Sequence, residues 1–330
     1  MMKKVLLLFA FIFLGTHIFA QKNRFENPIA EQRADPWIYK DIDGTYYLIA
    51  TVPEYDRIVI RKSTTINGLK TANEKEVWHK HEKGEMSSHI WAPELHRINN
   101  KWYIYFAAST AEDEWNIRMW VLSNSSKDPL QGHWKEEGRI ATKNDSFSLD
   151  ATTFEHKGTR YLVWAQSVRN YGTGIILSEM RDPLTLTGPE LVLSIPEYSW
   201  EKMKYKVNEG PAVLKKNGRI FISYSASATN HNYCMGMLWI DDNANLLDKL
   251  NWHKSPAPVF STNAEVDRFG PGHNSFTTTE NDSEVIMIYH SRDFKDIVGH
   301  ELGDPNRATR ARVISWTING FPDFIQNKGD

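Results

Sequence analysis

The chain has 330 residues, 41% hydrophobic and 24% charged, an ordinary globular composition that excludes long disordered or collagen-like organisation. Lys and Arg total 39 against 41 Asp and Glu, a net charge of −2. No basic excess exists to follow a phosphate backbone, so nucleic acid is not expected as a partner. The one cysteine, Cys234, excludes an internal disulfide and leaves stability to a large continuous core. It lies in an apolar stretch and reads as a buried thiol. Aromatic residues make up 12% of a chain that is otherwise rather polar, and so many rings need an explanation.

Residues 1–20 read as a signal peptide. Lys3 and Lys4 give a positive start, residues 5–14 are an unbroken apolar run, and Ala20 offers a small residue for cleavage. The run is short for a bilayer span, although an uncleaved anchor is the alternative. The expectation is export to the periplasm or the medium, with no membrane contact after cleavage. Residues 21–330 then read as a single domain.

That domain is repetitive. Asp35-Pro36-Trp37-Ile38-Tyr39 leads through Asp43-Gly44 into Tyr46-Tyr47-Leu48-Ile49. Ala92-Pro93-Glu94-Leu95-His96 leads through Asn99-Asn100 into Trp102-Tyr103-Ile104-Tyr105. Asp150-Ala151-Thr152-Thr153-Phe154 leads through Lys157-Gly158 into Tyr161-Leu162-Val163-Trp164. Glu209-Gly210-Pro211-Ala212-Val213 and His273-Asn274-Ser275-Phe276 open two further copies. Each reads as a strand, a tight turn and an apolar second strand. The starts fall at residues 35, 92, 150, 209 and 273, leaving room for four strands per repeat. In the first repeat the other two strands are expected around Arg57-Ile58-Val59-Ile60-Arg61 and Glu76-Val77-Trp78. Even spacing of this kind predicts an all-β, five-bladed β-propeller. A pair of β-sandwiches is the alternative, but it does not account for the even repeat. The last repeat lacks a clean fourth strand, which residues 24–29 are expected to complete.

The first strand of each blade lines the axis of a propeller, so the repeat starts converge at one mouth. They place Asp35, Asp150 and Glu209 in register, with Ala92 and His273 in the other two blades. Three acids at one mouth are costly unless the surroundings are tuned for them. Capping of a turn explains one such acid more easily than three. Paired carboxylates, one protonated and one ionised, are what cleavage of a glycosidic bond requires. Trp37 and Trp91, beside repeat starts, are candidate platforms for the apolar face of a sugar, or packing residues between blades.

These residues carry a family resemblance. Arg33-Ala34-Asp35-Pro36, Ile90-Trp91-Ala92-Pro93-Glu94-Leu95, Ser148-Leu149-Asp150-Ala151, Asn208-Glu209-Gly210-Pro211 and Gly272-His273-Asn274-Ser275 resemble glycoside hydrolase family 43 in order and spacing. Val52-Pro53-Glu54-Tyr55-Asp56-Arg57, Tyr233-Cys234-Met235-Gly236 and Asp304-Pro305-Asn306-Arg307 are similar to its secreted, exo-acting α-L-arabinofuranosidases. The resemblance implies inverting hydrolysis, with Asp35 as general base, Glu209 as general acid and Asp150 as modulator of the acid's pKa. It implies Arg310 near the base, and His273 in the channel beside a structural calcium or other ion held largely by water. No cofactor is implied for the chemistry, and the partners would be arabinose-containing plant polysaccharides or oligosaccharides. β-Xylosidase and endo-arabinanase activities are alternatives on the same fold, and a non-catalytic sugar-binding propeller is an alternative of another class. His79 and His81 alternate as metal ligands can, but no third ligand accompanies them. Asn124-Ser125-Ser126 and Asn281-Asp282-Ser283 match a glycosylation pattern that has meaning only in a host that uses it.

Overall fold

A computed structural model describes residues 24–326, and the expected signal peptide at residues 1–20 lies outside them. The described residues form strands joined by turns, with short 3₁₀ turns and no α-helix. Five antiparallel sheets follow one another in the chain as the blades of a propeller, and a sixth, two-stranded sheet pairs Ser315–Trp316 with Pro322–Asp323. Blade 1 contains Ala34–Lys40, Tyr46–Thr51, Arg57–Ser63 and Lys75–His79. Blade 2 contains Ser88–Ile98, Lys101–Ser109, Arg118–Asn124 and Lys135–Arg139. Blade 3 is built from Ser148–His156, Thr159–Val168 and Gly172–Asp182, with its outer edge split between Thr185–Leu186 and Leu191–Ser194. Blade 4 contains Asn208–Lys216, Arg219–Ala226, Cys234–Asp241 and His253–Lys254, and blade 5 Phe269–Thr278, Val285–Arg292 and Ala308–Val313.

Local sequence explains the hairpins. Asn99-Asn100, Lys157-Gly158 and Asn217-Gly218 take positive φ at both central positions, the geometry whose twist matches the flanking strands. The second strands are apolar because neighbouring blades cover both their faces. Tyr46–Thr51 and Val285–Arg292 are buried at every residue. A hydrophobic cluster fills each gap between adjacent blades, and many of the rings are there. Trp78, Trp102, Trp120 and Trp134 lie between blades 1 and 2, and Trp164 between blades 2 and 3.

Blade 5 is closed by the start of the chain. Ala30 bridges Thr309 in antiparallel fashion, with Ile29 N–H donating to Thr309 O and Thr309 N–H to Ala30 O, both at 2.8 Å. The Asn27 side chain adds a hydrogen bond in each direction with the Ala311 backbone. The expected fourth strand is thus a short bridge at Ala30, just beyond residues 24–29, reinforced by a side chain.

A feature absent from the repeat alignment sets the site. Every innermost strand carries a β-bulge at the same level. Each bulge holds one residue in the left-handed region: Asp35 (φ 52°), Ala92 (44°), Asp150 (56°), Gly210 (55°) and His273 (43°). Asp tolerates that conformation, whereas Ala and His at such positions store strain of about 1–2 kcal/mol. The bulges correct the register read from sequence. The structural equivalent of Asp35 and Asp150 in blade 4 is Gly210, and Glu209 stands one residue before it.

Candidate active site

A cavity of about 560 Å³ opens at the end of the axis where the innermost strands begin. Asp35, Asp150, Glu209 and His273 all line it. The bulges bring them there, because an extra residue in a strand bends it and re-aims the side chain.

Asp35 is buried and surrounded by donors. Thr51 Oγ1 donates to Oδ2 at 2.7 Å, while Oδ1 lies 3.2 Å from His273 Nδ1 and 3.4 Å from Arg307 Nη1. Burial opposes its ionisation, but the charges of His273 and Arg307 overcome that and hold its pKa well below the usual carboxylate range. Its backbone N–H donates to His290 Nδ1 at 3.0 Å, which places that ring's proton on Nε2. Burial keeps His290 neutral, with its pKa far below the ordinary value. Burial also pulls His273 down, yet Asp35 and Asp150 raise it to about 9, so it is a cation at neutral pH.

The other two acids behave oppositely. Burial, reinforced by the charge of Asp35, lifts Asp150 to about 6 although Gly210 N–H donates to its Oδ2 at 2.9 Å. Burial and the neighbouring Asp150 lift Glu209 to about 7, against a hydrogen bond of 2.7 Å from Tyr233 Oη to its Oε1. Below pH 7 one cavity therefore holds an ionised Asp35 and a protonated Glu209. Environments that push two carboxyls apart in this way separate a base from an acid.

Of the candidate sugar platforms, Trp91 lines the cavity, in an aromatic cluster with Tyr55, His89 and Trp115. Trp37 does not. Its Nε1–H donates to Leu95 O at 2.8 Å and its ring lies 4.6 Å from that of His96, packing blade 1 on blade 2. Arg310 is also displaced from its expected place. It sits mid-strand opposite Tyr289, buried, with Nη2 2.5 Å from Asp293 Oδ1. The arginine beside Asp35 is Arg307, at the mouth end just before Ala308–Val313. Its position ahead of the strand, rather than within it, is the signal that sequence reading passed over.

Other contributors carried no sequence signal as single residues. Trp115 stands half-exposed at the mouth, with Tyr205 on another part of the lining. The loop at residues 293–307 contributes His300, Glu301 and Leu302 to the wall. It is tethered across the mouth by Lys204 Nζ to Glu301 Oε2 at 2.7 Å and by Tyr55 Oη to Leu302 O at 2.6 Å. Buried Arg292 holds its base through Asp304 Oδ1 and Glu301 O. Cys234 is buried away from this chemistry. Among the described residues no three His, Cys, Asp or Glu gather as a metal-binding set. His273, a cation with Nδ1 engaged by Asp35, has no lone pair free for an ion, so an ion in the channel would have to be held through water.

Residues 25–322 match the model of the glycosyl hydrolases family 43. The chain is 57% identical over 277 residues to an extracellular exo-α-(1→5)-L-arabinofuranosidase of Streptomyces chartreusis, covering 83% of this chain and 84% of that protein. A protein of the same name from Streptomyces avermitilis is 51% identical over 91% of the chain, which spans only 63% of that longer protein. The crystal structure of an α-L-arabinofuranosidase from Lactobacillus brevis matches the fold with a TM-score of 0.90 at 46% identity, covering 92% of this chain and 97% of that one. The sequence match along nearly the whole described chain and the shared propeller agree, and the chain belongs to glycosyl hydrolase family 43.

Proposed function

We propose that the protein is an exported, exo-acting α-L-arabinofuranosidase that releases terminal arabinofuranosyl units from arabinan or arabinoxylan oligosaccharides with inversion at the anomeric carbon. The opposite protonation of Asp35 and Glu209 in one cavity carries this reading. Asp35 accepts a proton from water as the water oxygen bonds to the anomeric carbon. The glycosidic C–O bond breaks, and Glu209 gives its proton to the departing oxygen. Asp150 keeps that proton on Glu209 by like-charge repulsion and steadies the Gly210 backbone. Water is the only co-reactant, so the scheme requires no cofactor. Trp91 supplies an apolar face for the sugar ring. The tethered loop at residues 293–307 walls one side of the cavity, which favours a chain end over an interior unit. The names of the two Streptomyces relatives and the leader-like residues 1–20 support export.

Replacement of Glu209 by Ala tests the reading. Release of arabinose from arabino-oligosaccharides should fall by roughly 10²–10⁴. Cleavage of 4-nitrophenyl α-L-arabinofuranoside, whose phenolate leaves without a proton, should fall far less. Equal losses on both substrates contradict the acid role, and retention of configuration seen by proton NMR contradicts inversion. Release of xylose from an aryl xyloside in preference to arabinose would shift the substrate to the xylosidase alternative.

A further inference from the structure

Tyr233 is a buried polar side chain that touches Glu209 without having a place in the scheme. Its hydroxyl lies 2.7 Å from Glu209 Oε1, and its ring is 1% exposed. The ring is held from both sides. It stacks on His290 with centroids 5.6 Å apart and planes 5° from parallel. On the chain at Gly272 a Cβ would come within 2.5 Å of Tyr233 Cε1, so only glycine leaves the slot open. His290 in turn accepts the backbone N–H of Asp35. The stacked pair thus links the two carboxyls, with the acid at the phenol end and the base at the imidazole end.

We infer that Tyr233 is a positioning residue for the general acid, holding Glu209 Oε1 so that the transferable proton sits on Oε2. A phenol has one proton to donate. Burial, and then the carboxylates of Glu209, Asp35 and Asp150, keep that proton on Tyr233. A carboxylic acid accepts hydrogen bonds at its carbonyl oxygen, so engagement of Oε1 assigns the hydroxyl to Oε2. The same hydrogen bond strengthens when Glu209 ionises, and so eases loss of the proton. The groups that face Glu209 then balance. Asp150 of blade 3 and Asp35 of blade 1 favour its protonated form, while Tyr233 of blade 4 and His273 of blade 5 favour the ionised one.

The inference rests on Glu209 being the acid, and the test separates the two. Tyr233→Phe keeps the ring and its stack on His290. The expected result is an alkaline limb of kcat/KM on an arabino-oligosaccharide that moves up by about one pH unit. With it should come a fall in kcat of about tenfold at the acid plateau and little change in KM. On 4-nitrophenyl α-L-arabinofuranoside the fall in kcat should be smaller. A merely structural role would lower thermal stability without moving the limb. Persistence of the alkaline limb in Glu209→Ala overturns the acid assignment itself. A limb lost in Glu209→Ala but unmoved in Tyr233→Phe overturns the role of Tyr233 alone. In a Glu209→Gln background, Tyr233→Phe should cost no further turnover, and a full additional loss also counts against it.

Discussion

Asp150→Asn separates a modulator of the acid from a member of the reaction. The substitution removes a charge and keeps the shape, and an amide oxygen can still accept the Gly210 N–H that now lies 2.9 Å from Asp150 Oδ2. Glu209 rises from an ordinary 4.5 to about 7, with burial the largest cause and Asp150 the second. Asp150 is thus the strongest charge that favours the protonated acid, and each pH unit by which it raises Glu209 is worth about 1.4 kcal/mol. Without it, Glu209 should lose its proton at a lower pH. A general acid works only while it holds that proton, so activity falls as pH rises through its pKa. The alkaline limb of Asp150→Asn should accordingly move down, opposite in sign to Tyr233→Phe. The assay is kcat/KM for release of arabinose from an arabino-oligosaccharide between pH 4 and 9. A limb that stays in place, or moves up, refutes repulsion by Asp150 as the source of the raised pKa.

Arg307→Gln removes a cation 3.4 Å from Asp35, so the base should become easier to protonate and an acid limb should move up the pH scale; rates measured between pH 3 and 6 check it. Trp91→Ala should raise KM roughly tenfold with little change in melting temperature, as expected for a lost stacking contact. Trp37→Phe should do the reverse, because its indole N–H bonds Leu95 O between blades; a loss of about 1–3 kcal/mol lowers Tm by several degrees and leaves KM alone. Asn27→Ala should likewise lower Tm without touching kcat, since it strips two hydrogen bonds from Ala311 where the chain start closes blade 5.

The architecture was legible because it repeats. A strand buried between two blades has to be apolar along its length, and a two-residue hairpin has to turn at Asn, Asp or Gly. Five copies of that pair leave little freedom in the fold. The strands expected in blade 1 appear as Arg57–Ser63 and Lys75–His79. What sequence could not show is which of two side chains on the same strand faces the axis. Trp37 was chosen because it stands beside a repeat start and Arg310 because the family resemblance implies an arginine near the base, and the strand geometry carries each into packing instead. Arg307, three residues from Arg310, occupies the mouth.

Glu209 shows why alignment by chemistry alone misleads by one residue. Matched as acid to acid, it falls level with Asp35 and Asp150. Matched by backbone, Gly210 takes that level, with φ 55° against 52° and 56°. The difference has a steric cause. At Gly210 a Cβ would lie 3.0 Å from the His273 ring, so the bulge position in blade 4 has little room for a side chain. The acid must come from the residue before it, with the extra methylene of glutamate to extend its reach. That placement also gives Glu209 a partner that neither aspartate has. Glu209 pairs across the ladder with Ser225, and Tyr233 emerges just before the third strand, Cys234–Asp241, where its hydroxyl meets the carboxyl. Asp35 faces a histidine and an arginine at the corresponding depth and is held ionised. One repeated backbone thus yields opposite protonation states: the cations beside Asp35 hold it ionised, while burial and Asp150 keep Glu209 protonated against the pull of Tyr233.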